Sequence, residues 1–319
     1  MPVNDWLKNF GNPKFYEVFK GFLVISSLMK SAIKLSRIIA GTMTWGSWGK
    51  RLSKSEMISL MNHCLETGIT TFDHADIYGG YGNEEEFGNA LAESAISRKE
   101  IQLVSKCGIQ YICEARDNKV KHYNYSSDYI IWSAERSLEK LCTEYLDLFL
   151  LHRPSPLLDP EPIAKAIDHL LSSGKIRSFG VSNFTPSQIA MLETAIPVQA
   201  NQVECSLTAE GVMYDGTLDD CIANGRLSMA WSPLGSYFRE DNERTKRIKE
   251  ALTPMKEKYN ASEDQLILAW LMTHPAGIHP VVGTSNASRL ADSIKAAELN
   301  LELEDWFILL QASQGHEVP

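Results

Sequence analysis

The sequence predicts an α/β fold, a single (β/α)8 TIM barrel with an N-terminal extension and a C-terminal tail. Short β-branched runs alternate with helical patterns along the chain, and the runs number eight. A chain of 319 residues is long enough for one such barrel, which needs about 250 residues. We assign residues 1–33 to an extension of undetermined role and residues 34–319 to the barrel, whose last helix is followed by the tail Asn300–Pro319.

An open, doubly wound sheet is the alternative arrangement for the same order of elements. Such a sheet carries a G-x-G-x-x-G turn after its first strand, whereas this chain has GTMTWG at residues 41–46. The closed barrel is therefore favoured. Its predicted strands are Arg37–Thr42, Ile69–Asp73, Ile101–Ser105, Leu146–Leu151, Ser178–Val181, Ala200–Val203, Leu227–Trp231 and Ile278–Val282.

The segments between the strands have helical spacing. In Ser53–Thr67 the apolar residues recur at i, i+3, i+4, i+7 and i+8, which is the pattern of an amphipathic helix. Ser53 and Glu56 have the spacing of a capping box at its start. Asp128–Leu141 and Glu161–Ser173 follow the same pattern.

Composition excludes several classes of function. Hydrophobic residues make up 44% of the chain and charged residues 22%, which indicates a globular protein with a core. A formal net charge of -9 argues against nucleic-acid and anionic-membrane partners. The apolar stretch Gly21–Met29 is far shorter than the roughly 20 residues that span a bilayer. Six scattered cysteines without a C-x-x-C pair indicate reduced thiols and a cytoplasmic protein.

Polar groups stand at the ends of neighbouring predicted strands, where the chemistry of such barrels collects. A lysine at the end of a buried strand needs a counter-ion, and Asp73 can serve Lys106 in that way. Tyr78 has an ordinary pKa near 10, so it needs a nearby cation to become a useful acid. Each group alone is more often structural, but together they predict an active site with Asp73, Tyr78, Lys106 and His152.

Motifs around these residues resemble the aldo-keto reductase family along nearly the whole barrel. They are DHAxxYG at 73–79, SK at 105–106, LHRP at 151–154, GVSNF at 180–184, NQVE at 201–204 and WSPLG at 231–235. The finer patterns DHADIYGG at 73–80 and VSKCGI at 104–109 are similar to the bacterial YdhF-type branch.

The resemblance implies hydride transfer from NADPH to an aldehyde or ketone. By the same resemblance, Tyr78 is the general acid that protonates the carbonyl oxygen. Lys106 lowers the pKa of Tyr78, and Asp73 holds Lys106 in place. His152 orients and polarises the substrate.

The resemblance also implies a set of cofactor contacts. Ser182, Asn183 and Gln202 would hydrogen-bond the carboxamide, and Trp231 would stack on the nicotinamide ring. We assign further contacts to two strand ends and two loops: Gly41, Thr42, Met43, Asp73, Ser232, Pro233, Leu234, Gly235, Gly283 and Thr284.

The loop after the eighth strand opens a helix and so offers backbone N–H groups to phosphate oxygens. Arg289 in this loop can clamp a 2′-phosphate, which predicts NADPH rather than NADH. Gly283 stands where many family members carry a lysine, so a weaker preference is expected. The charged segment Gly235–Arg247 is either a lid over the pyrophosphate or an ordinary solvated loop.

Substrate and metal contacts are less specified. Aromatic and histidine residues in the predicted mouth loops suggest an aromatic pocket, although such residues also serve as packing: Trp45, Trp48, Tyr81, His122, Tyr123 and Tyr125. His74 and Asp76 lack a third ligand at suitable spacing, so we predict no metal.

Two other functions stay open. A nicotinamide-binding barrel with a regulatory or redox-sensing role would bind the cofactor with little turnover. A barrel hydrolase would use Asp73 and His152 with water and would need no cofactor. In each case the partner is a small molecule, a carbonyl compound in the favoured prediction, and the protein is expected to be a monomer or loose dimer.

Overall fold

Eight parallel strands close into a barrel in the computed structural model, which describes residues 33–319. The order around the barrel is β1-β10-β9-β8-β7-β6-β3-β2, and β4 pairs with β5 in a separate antiparallel hairpin. The strands are β1 (Ile39–Gly41), β2 (Thr71–Asp73), β3 (Gln102–Cys107), β4 (Ile109–Gln110), β5 (His122–Tyr123), β6 (Leu148–Leu151), β7 (Phe179–Ser182), β8 (Ala200–Glu204), β9 (Leu227–Trp231) and β10 (His279–Val282).

All eight predicted strands are confirmed, with ends that differ by at most two residues. Helices lie between them: α1 (Lys54–Glu66), α2 (Tyr78–Tyr81), α3 (Asn83–Glu93), α4 (Ser127–Lys140), α5 (Pro160–Ser172), α6 (Pro186–Leu192), α7 (Thr217–Asn224), α8 (Glu243–Tyr259), α9 (Glu263–Met272), α10 (Ala287–Lys295) and α11 (Leu303–Gln314).

Local sequence signals explain where the helices begin. The predicted capping box at Ser53 and Glu56 is confirmed, and Ser97 with Glu100 and Thr185 with Gln188 make the same pair of reciprocal contacts at other helix starts. Each box satisfies two backbone N–H groups that would otherwise lack a partner.

The predicted tail Asn300–Pro319 contains helix α11. Its Trp306 ring stacks on Trp270 of α9 with centroids 5.0 Å apart. Each indole N–H donates to the backbone oxygen of the other residue, at 3.0 and 2.9 Å. The tail is therefore packed on the barrel helices, an arrangement that its polar composition did not indicate.

Strand register places the candidate site. Gly41 is paired with Asp73, and Asp73 with Val104, so the carboxyl ends of β1 and β2 lie at one level and β3 continues three residues beyond it. Lys106 extends two residues beyond Val104 towards the mouth. None of the helices within residues 33–319 has the length and apolar character to cross a membrane. The predicted extension, apart from its last residue, lies outside the described part of the chain.

Candidate active site

The four side chains predicted as catalytic meet at the carboxyl ends of β2, β3 and β6. Lys106 Nζ donates to Asp73 Oδ2 at 2.7 Å, to His74 O at 2.7 Å and to Tyr78 Oη at 3.3 Å. The Tyr78 and His152 rings lie 6.0 Å apart between centroids, nearly edge to face. A small carbonyl group placed against Tyr78 would therefore also lie within reach of His152.

Lys106 and Asp73 form an ion pair whose side chains are only 1% and 3% exposed. Burial lowers the pKa of Lys106, but the negative charge of Asp73 and the hydrogen bonds to Asp73 and Tyr78 raise it by more, so its pKa lies above the ordinary value. The ammonium is thus charged at neutral pH. Removing either partner would leave a buried charge without compensation.

Tyr78 keeps its proton in the resting site. Burial raises the pKa of its phenol above the ordinary value, and the positive charge of Lys106 only partly opposes this effect. The pKa of Tyr78 therefore lies above its ordinary value, whereas the sequence predicted that Lys106 lowers it. A phenol that is protonated at rest, with a cation 3.3 Å away, can donate a proton and then be stabilised as a phenolate.

His152 is held as a neutral imidazole. Burial lowers its pKa well below the ordinary value, and the positive charges of Lys106, Arg153 and Lys121 lower it further. A neutral imidazole has one nitrogen that donates and one that accepts. Its Nδ1 atom is buried and has no hydrogen-bond partner among the described residues.

The loop that carries Tyr78 is fixed on both sides. The Asp76 N–H donates to Lys106 O at 3.0 Å, and its carboxylate accepts from Ser133 at 3.1 Å and from Tyr129 at 3.3 Å on helix α4. After Tyr78, Gly79 and Gly80 have φ angles of 60° and 70°, which only glycine adopts without steric cost. This tight turn aims the phenol back at the barrel mouth.

The strand ends predicted to bind the carboxamide form one hydrogen-bonded chain. Asn183 Nδ2 donates to Ser182 Oγ at 2.7 Å, and Trp231 Nε1 donates to Asn183 Oδ1 at 3.0 Å. Gln202 Nε2 donates to Asp73 Oδ1 at 3.0 Å. These contacts link the Trp231 ring to Ser182, and they link Gln202 to the ion pair of Lys106 and Asp73. One N–H of the Gln202 side-chain amide is thus already engaged by Asp73.

Backbone strain occurs at two of the predicted cofactor residues. Asn183 and Ser232 have φ angles of 62° and 49°, a left-handed conformation that non-glycine residues rarely adopt. Strain of this kind concentrates at ligand sites.

A cleft of about 830 Å³ opens at the loops that follow β9 and β10. Helices α9 and α10 form part of its wall, and the predicted cofactor residues of both loops line it: Ser232, Pro233, Leu234 and Gly235 after β9, and Gly283, Thr284 and Arg289 after β10. The volume is within the range of about 300–1,000 Å³ for ligand sites. Asn286 caps helix α10 by accepting the Arg289 N–H at 3.1 Å, and its own N–H donates to Thr284 Oγ1 at 3.2 Å. The N–H groups of Ala287 and Ser288 in the first helical turn are the ones left for a phosphate.

The residues after β1 contribute differently from one another. The Thr42 hydroxyl is buried and bonded to Asp73 O at 3.0 Å and to His74 Nδ1 at 2.9 Å, so it is not free to bind a ligand. Gly41 is buried, and a methyl group there would lie 3.1 Å from Val281 Cγ1. Met43 is 43% exposed. A ligand would therefore meet Met43 more readily than the Thr42 side chain.

The segment predicted as a lid divides into two parts. Gly235, Phe238 and Arg239 line the cleft. Further along, Arg244 pairs with Glu210, and Arg247 donates to the backbone of the C-terminal helix. The lid hypothesis is therefore restricted to residues 235–239.

The mouth aromatics also divide into packing and exposed groups. Trp45, Tyr81 and Tyr125 are buried. Trp48 is exposed, and its ring lies 6.2 Å from Tyr78 and 5.9 Å from Tyr111. His122 and Tyr123 form the exposed strand β5.

Sequence reasoning gave no role to Arg153 or Tyr111. Arg153 directly follows His152, and its guanidinium carbon lies 5.1 Å from the Trp231 ring centroid. Its position inside the LHRP motif was the available signal. Tyr111 follows a two-residue strand that no periodic pattern marks.

His74 has a structural environment. Burial, and then the charge of Lys106, lower its pKa to about 3, and its Nδ1 bonds to Thr42. In the part of the chain that the structure describes, no three histidine, cysteine, aspartate or glutamate residues cluster as metal ligands.

Comparisons with known proteins give a consistent result. The model of the Aldo/keto reductase family matches residues 37–313. Oxidoreductase YcsN of Bacillus subtilis (strain 168), itself described as uncharacterized, is 43% identical over 293 residues, which cover 90% of this chain and 97% of the relative. Oxidoreductase YdhF of Escherichia coli (strain K12) is 38% identical over 289 residues, which cover 90% and 96%.

A solved structure has the same architecture. The thermostable aldo-keto reductase Tm1743, crystallised with the inhibitor epalrestat, superposes with a TM-score of 0.76 at 25% identity and covers 89% of this chain and 97% of its own. The predicted barrel and the predicted family resemblance are both confirmed. The chain belongs to the aldo/keto reductase family and is an oxidoreductase that uses a nicotinamide cofactor.

Proposed function

We propose that this protein reduces aldehydes or ketones to alcohols, with NADPH as the hydride donor and Tyr78 as the general acid. The observation that carries the proposal is the buried contact of one ammonium group with both Asp73 and Tyr78. The small-molecule chemistry of the family and the cleft at the two predicted cofactor loops support it.

When bound, the nicotinamide supplies a hydride to the carbonyl carbon. The chain's own task is to deliver a proton to the oxygen. The Tyr78 O–H bond breaks, its proton moves to the carbonyl oxygen, and the electron pair stays on the phenolate. Lys106, 3.3 Å away, stabilises that phenolate, and Asp73 keeps Lys106 charged and in position.

His152 would hold the substrate oxygen next to Tyr78. Because its imidazole is neutral, it can donate a hydrogen bond without competing with Tyr78 as a source of protons. Such a preorganised donor stabilises charge that develops on the oxygen.

The predicted cofactor residues at the strand ends and in the two loops suit a dinucleotide. Ser182, Asn183 and Gln202 would contact the carboxamide and Trp231 the ring, while Arg289 in the loop after β10 would bind the 2′-phosphate. Gly283 has no side chain to assist Arg289, so we propose a preference for NADPH over NADH that depends on one cation.

The substitution Tyr78→Phe tests the proposal directly. It removes the acidic proton but keeps the ring, so kcat should fall by roughly 10²- to 10⁴-fold, while NADPH binding, followed by fluorescence, is retained. Turnover of 4-nitrobenzaldehyde would be followed by the loss of NADPH absorbance. Tyr214→Phe, at a side chain that is 62% exposed, is the matched control and should keep wild-type rates.

Two outcomes would contradict the proposal. If the wild-type protein bound NADPH tightly but left activated aldehydes and dicarbonyls unreduced, a sensing or regulatory barrel would be favoured. If turnover occurred without any nicotinamide, the hydrolase alternative would stand.

A further inference from the structure

Arg153 lies next to the proposed reaction centre, and two hydrogen bonds hold its backbone in place. It follows His152 at the end of β6, and its N–H donates to the Tyr125 hydroxyl at 3.2 Å, which in turn donates to the Arg153 carbonyl oxygen. Tyr125 is buried. The backbone of Arg153 is thus clamped, and its guanidinium carbon lies 5.1 Å from the Trp231 ring centroid.

The guanidinium of Arg153 is uncommitted. Within residues 33–319 it makes neither an ion pair nor a side-chain hydrogen bond, although it is half-buried. Three other shielded arginines are ion-paired, Arg98 with Asp147, Arg226 with Glu193 and Asp220, and Arg244 with Glu210. Arg37 donates to backbone oxygens instead. A partly desolvated arginine without an acceptor is costly to hold and is suited to a planar anion.

Positive charge dominates this side of the mouth. The charge of Lys106 is balanced by Asp73. The positive charges of Arg153 and Lys121 both lower the pKa of His152, and neither cation has a carboxylate partner among the described residues. The charge of Arg153 also opposes the rise in the pKa of Tyr78. A local excess of positive charge in a chain of net charge -9 attracts anionic ligands to this side of the barrel mouth.

The mouth next to Tyr78 is aromatic. The Trp48 ring lies 6.2 Å from the Tyr78 ring and 5.9 Å from the Tyr111 ring, between centroids. A flat apolar body would pack against Trp48, with its reacting carbonyl at Tyr78. The aromatic rings and the guanidinium together fit a carbonyl compound that has an apolar body and an anionic group.

We propose that Arg153 selects aldehydes and ketones that carry an anionic group, a carboxylate or a phosphate. The inference rests on the proposed reductase function and adds a substrate class to it. Arg153 acts here as a specificity residue, since the anion that it binds is remote from the carbonyl that reacts.

The test compares aldehydes that share a skeleton but differ in charge. 4-Carboxybenzaldehyde is the anionic substrate and methyl 4-formylbenzoate the neutral one, and the measured quantity is the ratio of their kcat/KM values with NADPH. In Arg153→Gln this ratio should fall roughly 10- to 100-fold relative to the wild-type protein, mainly through a higher KM for the acid. Arg153→Lys should retain part of the preference.

Arg177→Gln is the control for loss of one positive charge. Arg177 precedes β7 at the opposite end of the barrel, and its side chain is 59% exposed, so the ratio should stay within about twofold of wild type. 4-Formylphenyl phosphate, run in parallel, shows which anion Arg153 prefers. Loss of Arg153 must reduce the turnover of at least one of the two anionic aldehydes.

A binding measurement separates failure of this inference from failure of the reductase proposal. Benzoate should quench tryptophan fluorescence in wild type but bind at least about tenfold more weakly to Arg153→Gln, whereas benzamide should not distinguish them. If Arg153→Gln lowered activity towards the acid and the ester equally, or raised only the KM for NADPH, the proposed anion-binding role of Arg153 would be wrong. The proposed reductase function would not be affected. If no aldehyde were reduced and benzoate bound the wild-type and variant proteins equally, both proposals would be wrong.

Discussion

Two buried aspartates near the site differ in how their charge is compensated. Asp73 is paired with Lys106, whereas Asp76 accepts only from the hydroxyls of Ser133 and Tyr129, and its Oδ1 has no partner in the described chain. Burial, and then the nearby charge of Glu84, raise the pKa of Asp76 to about 7. Asp76 is therefore a titrating group in the loop that positions Tyr78.

This shift predicts how Asp76 affects stability. Unfolded aspartate has a pKa of about 3.9, so between about pH 4 and about 7 the folded protein holds a proton that the unfolded chain has released. Stability contributed by this group therefore falls as pH rises through that window. Asp76→Asn lacks the effect, so its stability relative to wild type should rise by about 4 kcal/mol between about pH 4 and about 8. Urea unfolding of both proteins across this range measures it.

The difference between variant and wild type is the informative quantity, because His74 and His152, whose pKa values are lowered, impose an opposite pH dependence on both proteins. Asp117→Asn, at an exposed carboxylate, is the control and should show a flat difference. A flat difference for Asp76→Asn as well would mean that this carboxylate is ionised in the folded state throughout the range.

The sequence identified catalytic candidates better than the surrounding site. Asp73, Lys106 and His152 stand at strand ends, and the parallel topology forces such positions together. Arg153 was not assigned a role, because a cation after a strand end is ordinary in sequence and its lack of a partner exists only in three dimensions. The occupied hydroxyl of Thr42 was equally invisible, since it depends on the distance to His74.

At the scale of elements, the helix after the Tyr78 turn is tied to its neighbour by one close approach. Helix α3 contacts the end of α4 at Gly88, where a methyl group would lie 1.9 Å from Lys140 O and 2.7 Å from Leu141 Cα. No real contact is this short, so the two helices are in van der Waals contact through backbone. The lack of a side chain at Gly88 fixes their separation.

Gly88→Ala should therefore destabilise the protein. Alanine improves helix propensity by about 1 kcal/mol, but overpacking of backbone against backbone costs more, and we expect a net loss of about 2 kcal/mol in the free energy of unfolding. Asn89→Ala, on the exposed side of the same helix, should be neutral or slightly stabilising. Equal effects of the two substitutions in urea unfolding would show that the helices can separate without cost.

Element prediction succeeded where periodicity was long and failed where it was short. The barrel strands are bounded by turns and alternate with helical patterns, so all eight could be predicted from sequence. The hairpin of β4 and β5 has two residues in each strand, too few for any alternation. Helix α11 was read as a tail because its stabilising contacts, such as the Trp270 and Trp306 pair, are tertiary.

At the scale of the whole molecule, closure of the barrel begins at Ser36. Its N–H donates to Thr71 Oγ1 at 2.8 Å, and its carbonyl oxygen bonds to His279 Nδ1 at 2.9 Å. Arg37 donates to Met272 O at 3.0 Å and to Gly277 O at 3.2 Å. These two residues thus connect β1 to the segments on both of its sides, β2 and β10.

The position of these contacts predicts how far the chain can be shortened. Leu35–Pro319 form one compact unit, and the family match begins at residue 37. A chain that starts at residue 34 should therefore unfold cooperatively and reduce aldehydes at the rate of the full chain. A chain that starts at residue 38 loses the bonds of Ser36 and Arg37 and should be less stable by about 3 kcal/mol. Urea unfolding and NADPH consumption of the two chains measure the difference.

If the chain from residue 34 aggregated or lost activity, residues 1–33 would be part of the folded barrel rather than an extension.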